Sequence, residues 1–164
     1  MEAFQILLIL TTFLCSLVAG LLFIFATVVM PGIGSLNDRE FIRAFQVIDR
    51  VIQNNQPIFM LVWIGSVVAL LPAFGLGIWQ LEGVERLLII IAALFYLLGV
   101  QLPTIAINVP LNNKLQTLDV DSTSEATSKE ARRDFEPRWN RSNSIRTAFA
   151  SLTSVLLMIQ LSPL

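Results

Sequence analysis

The sequence contains no histidine, which removes the commonest general base and metal ligand available near neutral pH. Zinc hydrolase sites, haem and non-haem iron sites with histidine ligands, Ser-His-Asp triads and Cys-His pairs are all excluded by this one absence. Cysteine occurs once, as Cys15 inside an apolar run, so neither an intramolecular disulfide nor a thiolate metal cage can form. Charge is scarce as well. Only 14% of residues are charged and the net charge is -1, which gives no bulk attraction to nucleic acid or to anionic lipid. No nucleic-acid partner is expected.

The chain is instead 55% hydrophobic over its 164 residues with a mean hydropathy of +0.72, outside the range of an ordinary soluble domain. Four stretches, about 3–30, 58–79, 87–107 and 145–161, meet or approach the roughly 20 apolar residues that a helix needs to cross a hydrocarbon core. The expected fold is all-α: a single membrane domain over 1–164, a four-helix bundle with a cytoplasmic amphipathic helix between spans one and two. The first stretch has no basic n-region and is too long for a signal-peptide core, so it should stay as a membrane helix. Leu14 before Cys15 does not suit lipoprotein processing, and no lipid anchor is expected. Pro72 and Pro103 should bend spans two and three about a turn upstream. Small residues at packing spacing, Thr12, Ser16 and Gly20, Gly65 and Ala69, Ala150 and Ser154, predict a tight bundle.

Between the first two spans, Asn37-Asp38-Arg39-Glu40 reads as a helix cap followed by Phe41, Ala44, Phe45, Ile48, Val51 and Ile52 at helical spacing. This predicts a helix over 38–53, lying on the membrane surface and anchored by Phe41, Phe45 and Ile48. A short turn around Gln80 to Gly83 joins spans two and three. The segment 108–143 reads as a polar cytoplasmic loop in which Ser122 and Glu125 open a short helix that Pro137 closes. Of the 11 Lys and Arg residues, only Arg86 falls on the side of that short turn. The positive-inside rule then places both long connections in the cytoplasm and both termini outside.

Polar residues gather at the cytoplasmic ends of the spans. Asn108, Asn112 and Asn113 end the third, Asp49, Arg50, Asn54 and Asn55 precede the second, and Trp139, Asn143, Arg146, Ala150 and Ser154 share one helical face leading into the fourth. Such groups at membrane depth are costly unless paired or used, so a polar pocket is expected at this end, with an interfacial hydrogen-bond cluster as the alternative. Asp119 and Asp121 read as a solvated acidic loop and not a cation site, and no metal ligands are expected. Gly32 with Gly34 and Gly75 with Gly77 follow no strand and are not phosphate loops.

The runs Asn108-Val109-Pro110-Leu111-Asn112-Asn113, Trp139-Asn140 through Asn143 to Arg146, and Phe45 through Ile48-Asp49-Arg50 to Asn54 resemble, in order and spacing, the anthrone-oxygenase-like family of small four-helix membrane proteins. The resemblance covers most of the chain. It implies a cofactor-independent oxygenase that uses O2 without metal or flavin, acting on a small planar or lipid-like molecule, aromatic or isoprenoid. In that reading Asp49 is the candidate catalytic base, Arg146 stabilises an anionic intermediate, Trp139 stacks on a planar ring, and Asn54, Asn108, Asn112 and Asn143 complete the ligand site. A non-catalytic accessory or assembly subunit, docking a membrane-protein partner through the amphipathic helix and long loop, is the alternative.

Overall fold

A computed structural model describes residues 2–162. Five helices follow one another: α1 Glu2–Gly34, α2 Asp38–Gln53, α3 Pro57–Gln80, α4 Gly83–Gln116 and α5 Glu125–Leu161. There is no strand among the described residues. All but α2 are long and apolar enough to cross a bilayer, and the protein is an integral membrane protein. At about 1.5 Å per residue, α1, α4 and α5 run roughly 50 Å or more while α3 runs only about 36 Å. Against a hydrocarbon core of about 30 Å, α1, α4 and α5 are long enough to overshoot at the end where α2 packs, and α3 is little longer than the core.

In the bundle α1 packs on α3 and α5, and α4 packs on α5. The membrane core is built from Cys15, Val18, Leu22, Leu70, Ile89, Tyr96 and Leu157. Burying polar groups here requires partners: the Tyr96 hydroxyl bonds the Ser66 hydroxyl at 2.6 Å, and the Thr12 hydroxyl donates to the Leu8 carbonyl at 2.7 Å. Ala69, Ala150 and Ser154 lie in this core as their spacing predicts. Gly20 has nothing within 4 Å of where a Cβ would be, so it makes no close helix contact. The close approach is at Gly99, where a Cβ would collide with the Phe149 ring.

A second core crowns the overshooting ends. Asn37 caps α2, its side chain accepting the Glu40 N–H at 3.0 Å, and the helix bounds match the predicted ones. The expected anchoring in lipid by Phe41 and Phe45 is corrected: both are buried inside the protein, against Phe135 and Trp139 of α5, while Ile48 is half-buried. The reason is that the ends of α4 and α5 beside it supply apolar partners, Leu111, Leu115 and Phe135. Gln46 fastens α2 to the end of α4, donating to the Leu115 and Leu118 carbonyls at 2.8 and 2.9 Å. Arg132 joins three elements. It donates to the Gly34 carbonyl at 2.7 Å, pairs with Asp38 and Glu136, and lies over the Phe41 ring.

The stretch read as a polar loop is thus mostly helix. Its short helix also differs from expectation: Ser124, not Ser122, caps α5, accepting the Thr127 N–H at 3.2 Å, and Ser122 bonds Asp119 instead. Pro137 does not end the helix but sits inside α5. One lost backbone bond is tolerated because Phe135 and Trp139, on either side of it, are both held in the second core.

Prolines leave another mark. The segments Phe25–Val29, Phe95–Gln101 and Thr104–Asn108 are π-helical, and they are followed by Pro31, Pro103 and Pro110 respectively. A proline lacks the N–H for the carbonyl four residues back and crowds it. Wider turns reach past the gap, as where the Leu102 N–H bonds the Leu97 carbonyl and the Val109 N–H bonds that of Thr104. The bend expected upstream of Pro103 takes this form, whereas α3 stays α-helical through Pro72.

Candidate functional site

Two of these widened segments, together with the end of α2 and the middle of α5, enclose a cavity of about 230 Å³. This is at the small end of ligand pockets, below the usual range of about 300–1,000 Å³. Its walls are mainly apolar: Leu21, Leu22 and Phe25 from α1, Phe45 and Ile52 from α2, Phe59 and Trp63 from α3. Its polar residues are Asp49, Thr104, Asn108, Asn112, Trp139, Asn143 and Arg146.

Arg146 is 4% exposed. One terminal nitrogen donates to the Thr104 hydroxyl at 3.0 Å and the other to the Asn143 side-chain oxygen at 2.9 Å. Its Nε is buried without a partner, and the guanidinium stands 5.7 Å from the centre of the Trp139 ring. It forms no ion pair with an acid among the described residues. A buried cation held only by neutral groups retains most of its attraction for an anion.

Asp49, on the end of α2, faces the same cavity. Its Oδ1 accepts the Asn112 amide at 2.7 Å, and its Oδ2 accepts the Gln53 and Gln116 amides at 2.7 and 2.9 Å. Three neutral donors against about four lone-pair positions leave one position for a further donor. Asn112 is fixed from both sides, accepting the Trp139 indole N–H at 2.8 Å while donating to Asp49. Asn143 donates to the Leu22 carbonyl at 3.1 Å, tying α5 to α1, and Asn108 accepts the Ser142 hydroxyl at 2.6 Å. The site therefore holds one carboxylate and one guanidinium, each bonded only to neutral groups and neither paired with the other.

Of the residues singled out from sequence, Asp49, Asn108, Asn112, Trp139, Asn143 and Arg146 come together around this cavity. Asn54 does not. It is exposed and forms the C-cap of α2, where its N–H bonds the Arg50 carbonyl at 2.9 Å. The chain must stop being helical there before Pro57, and Asn55 takes a φ of 57° to do so. Asp119 and Asp121 serve the connection. The Ser122 hydroxyl and the Asp121 N–H hold the Asp119 carboxyl below its usual pKa, and Asp121 pairs with Arg43. No group of three or more His, Cys, Asp or Glu that could hold a metal occurs among the described residues.

The sequence reading overlooked Thr104, Gln53 and Gln116. Each lies four residues from a residue it did find, Asn108, Asp49 and Asn112, and so on the same helical face. The apolar walls carried no such signal, because Phe59 and Trp63 look in sequence like any lipid-facing residues.

The family model for anthrone oxygenase matches residues 45–156, from Phe45 on α2 to Leu156 on α5, and this stretch contains every polar residue of the cavity. The chain belongs to the anthrone oxygenase family. In this anthrone oxygenase family member, α1 lies outside the matched stretch and contributes only apolar wall to the cavity. No curated protein and no solved structure matches the chain.

Proposed function

We propose that the protein is a cofactor-independent oxygenase of a flat, oxygen-bearing aromatic molecule such as an anthrone, bound in this cavity on the cytoplasmic side of the membrane. The observation that supports it is the buried, acid-free guanidinium of Arg146 facing one cavity with the carboxylate of Asp49. Asp49 takes a proton from the acidic methylene carbon of the ring. The charge spreads to the ring oxygen, where Arg146 holds it as an oxyanion. The carbanion carbon bonds O2, and the proton returns from Asp49 to the outer peroxide oxygen. The hydroperoxide then loses water: the second C–H proton leaves, the O–O bond breaks, and a carbonyl remains. One CH2 and one O2 become one C=O and one H2O, so O2 takes the four electrons that the carbon gives up. Trp139, its ring fixed by Asn112, supplies a flat surface for the substrate.

The reading of the chain as an accessory subunit docking through α2 is less well supported, because Phe41, Ile42 and Phe45 are covered within the chain. The test is oxygen uptake by the purified protein in lipid nanodiscs supplied with anthrone. Dissolved O2 should fall in step with anthrone loss, and Asp49→Asn and Arg146→Leu should each slow this by about 100-fold or more. Wild-type turnover no faster than empty nanodiscs, or full activity in Asp49→Asn, overturns the proposal.

A further inference from the structure

The cavity is buried at its back and open at one side. Asn108, Asn143 and Arg146 are 2%, 1% and 4% exposed, whereas Phe59 and Trp63 of α3 are half-buried and Val109 of α4 is 43% exposed, although all of them line the same space. The opening therefore lies between the start of α3 and the Thr104–Asn108 turn of α4. The helix packing gives the reason. Helix α3 packs against Gly83–Leu94 of α4, near the short turn joining them, reaches Phe95–Gln101 where Ser66 bonds Tyr96, and has no comparable packing against Thr104–Asn108. The two helices diverge like the arms of a V whose open end is the cavity mouth. The outer flanks of that mouth are apolar: Leu61 and Ile105 are each 69% exposed.

From this geometry we infer that the ligand reaches the site sideways from the bilayer, passing between α3 and α4. The inference rests on the proposed binding of an oxygen-bearing ligand at Arg146 and adds its source and class. The ligand is a membrane-dissolved molecule whose polar oxygen goes in first, toward Arg146, while its apolar remainder stays at the mouth among Phe59, Trp63, Val109 and the acyl chains. The arrangement matches that shape at both ends, with a cation at the closed end and the apolar Phe59, Trp63 and Val109 at the open one. A water-borne anion would have to cross the apolar rim first.

Two measurements test this. A protein carrying Trp79→Phe and Trp139→Phe leaves Trp63 as its only tryptophan, and it is placed in vesicles of phosphatidylcholine brominated along the acyl chain. Trp63 fluorescence should be quenched by the brominated lipid and spared by iodide in the water. Quenching by iodide and not by lipid overturns the inference, whether or not anthrone is ever oxidised. Next, Val109→Trp should narrow the mouth and Val109→Ala should widen it. With anthrone dissolved in the vesicles, kcat/KM should fall about tenfold in the first and hold or rise in the second. Val68→Trp, on the outer face of α3, is the control for a bulky change that leaves the mouth alone. An active wild type with all three variants at its own rate rejects the lateral route. An inactive wild type whose Trp63 is quenched from the lipid rejects the oxygenase reading and leaves the mouth standing.

Discussion

An unpaired guanidinium costs several kcal/mol to bury, and Arg146 is offset only by a hydroxyl, an amide oxygen and the face of Trp139. Replacing it with Leu separates the two uses such a residue can have. Thr104 and Asn143 each lose a donor, but the Thr104 hydroxyl keeps its own bond to the Val100 carbonyl, so only the Asn143 oxygen is left without a partner. That loss costs about 1–3 kcal/mol and is opposed by removal of the buried charge. The melting temperature of Arg146→Leu in detergent should therefore stay close to that of wild type or rise, while anthrone binding weakens at least about tenfold. A large fall in melting temperature with binding unchanged would show instead that the cluster is structural. At this scale the sequence was informative because polar side chains are conspicuous in apolar surroundings: Asp49, Asn108, Asn112, Asn143 and Arg146 could be picked out by type and helical spacing alone.

Helices in a membrane gain from close backbone approach, and what counts is the neighbour opposite a small residue, not the residue itself. Gly20 meets nothing, whereas Gly99 meets Phe149, whose ring packs edge-on against Phe95 with centroids 5.1 Å apart. Gly99→Ala would drive a methyl into that ring and should destabilise the fold by about 1–3 kcal/mol. Gly20→Ala should be neutral or slightly stabilising, since it adds helix propensity without a clash. Thermal unfolding of the two variants in the same detergent checks the contrast, and equal effects would refute it. The π-turns belong to this scale as well. Their prolines are visible in the sequence, but Pro72 and Pro137 sit in uninterrupted α-helix, so proline alone does not predict a widened turn.

For the whole molecule, the uneven helix lengths matter most. Because α1, α4 and α5 overshoot and α3 does not, the protein carries a packed head on one end of its bundle and a gap in the wall beneath it. The head bears nearly all the Lys and Arg: Arg39, Arg43, Arg50, Lys114, Lys129, Arg132, Arg133, Arg138 and Arg141. The positive-inside rule then predicts that head and cavity face the cytoplasm. A cysteine introduced at Thr123, in the connection before α5, should react with a membrane-impermeant maleimide only after cells are opened, with Cys15 replaced by Ala to remove background. A reporter fused after Leu164, which lies outside the described residues, should be active only outside the cytoplasm. Labelling of intact cells at Thr123 would invert the topology and put the cavity on the other face.

What the sequence determined by itself was whatever depends on composition and short-range spacing. Long apolar runs dictate membrane helices because unpaired backbone groups cannot lie in hydrocarbon. The Asn37 cap and the Pro57 stop set the ends of α2, and the polar positions at helical spacing marked most of one site. Only the tertiary structure decided which surfaces those elements would cover. In sequence, the apolar face of α2 is equally suited to lipid and to protein, and it went to Phe135 and Trp139 because α5 continues through Pro137 to offer them. Asp49 and Arg146 share a cavity without pairing, each bonded instead to neutral amides or a hydroxyl of its own surroundings. Such a choice among competing partners depends on distances in space, which residue spacing along one chain does not carry.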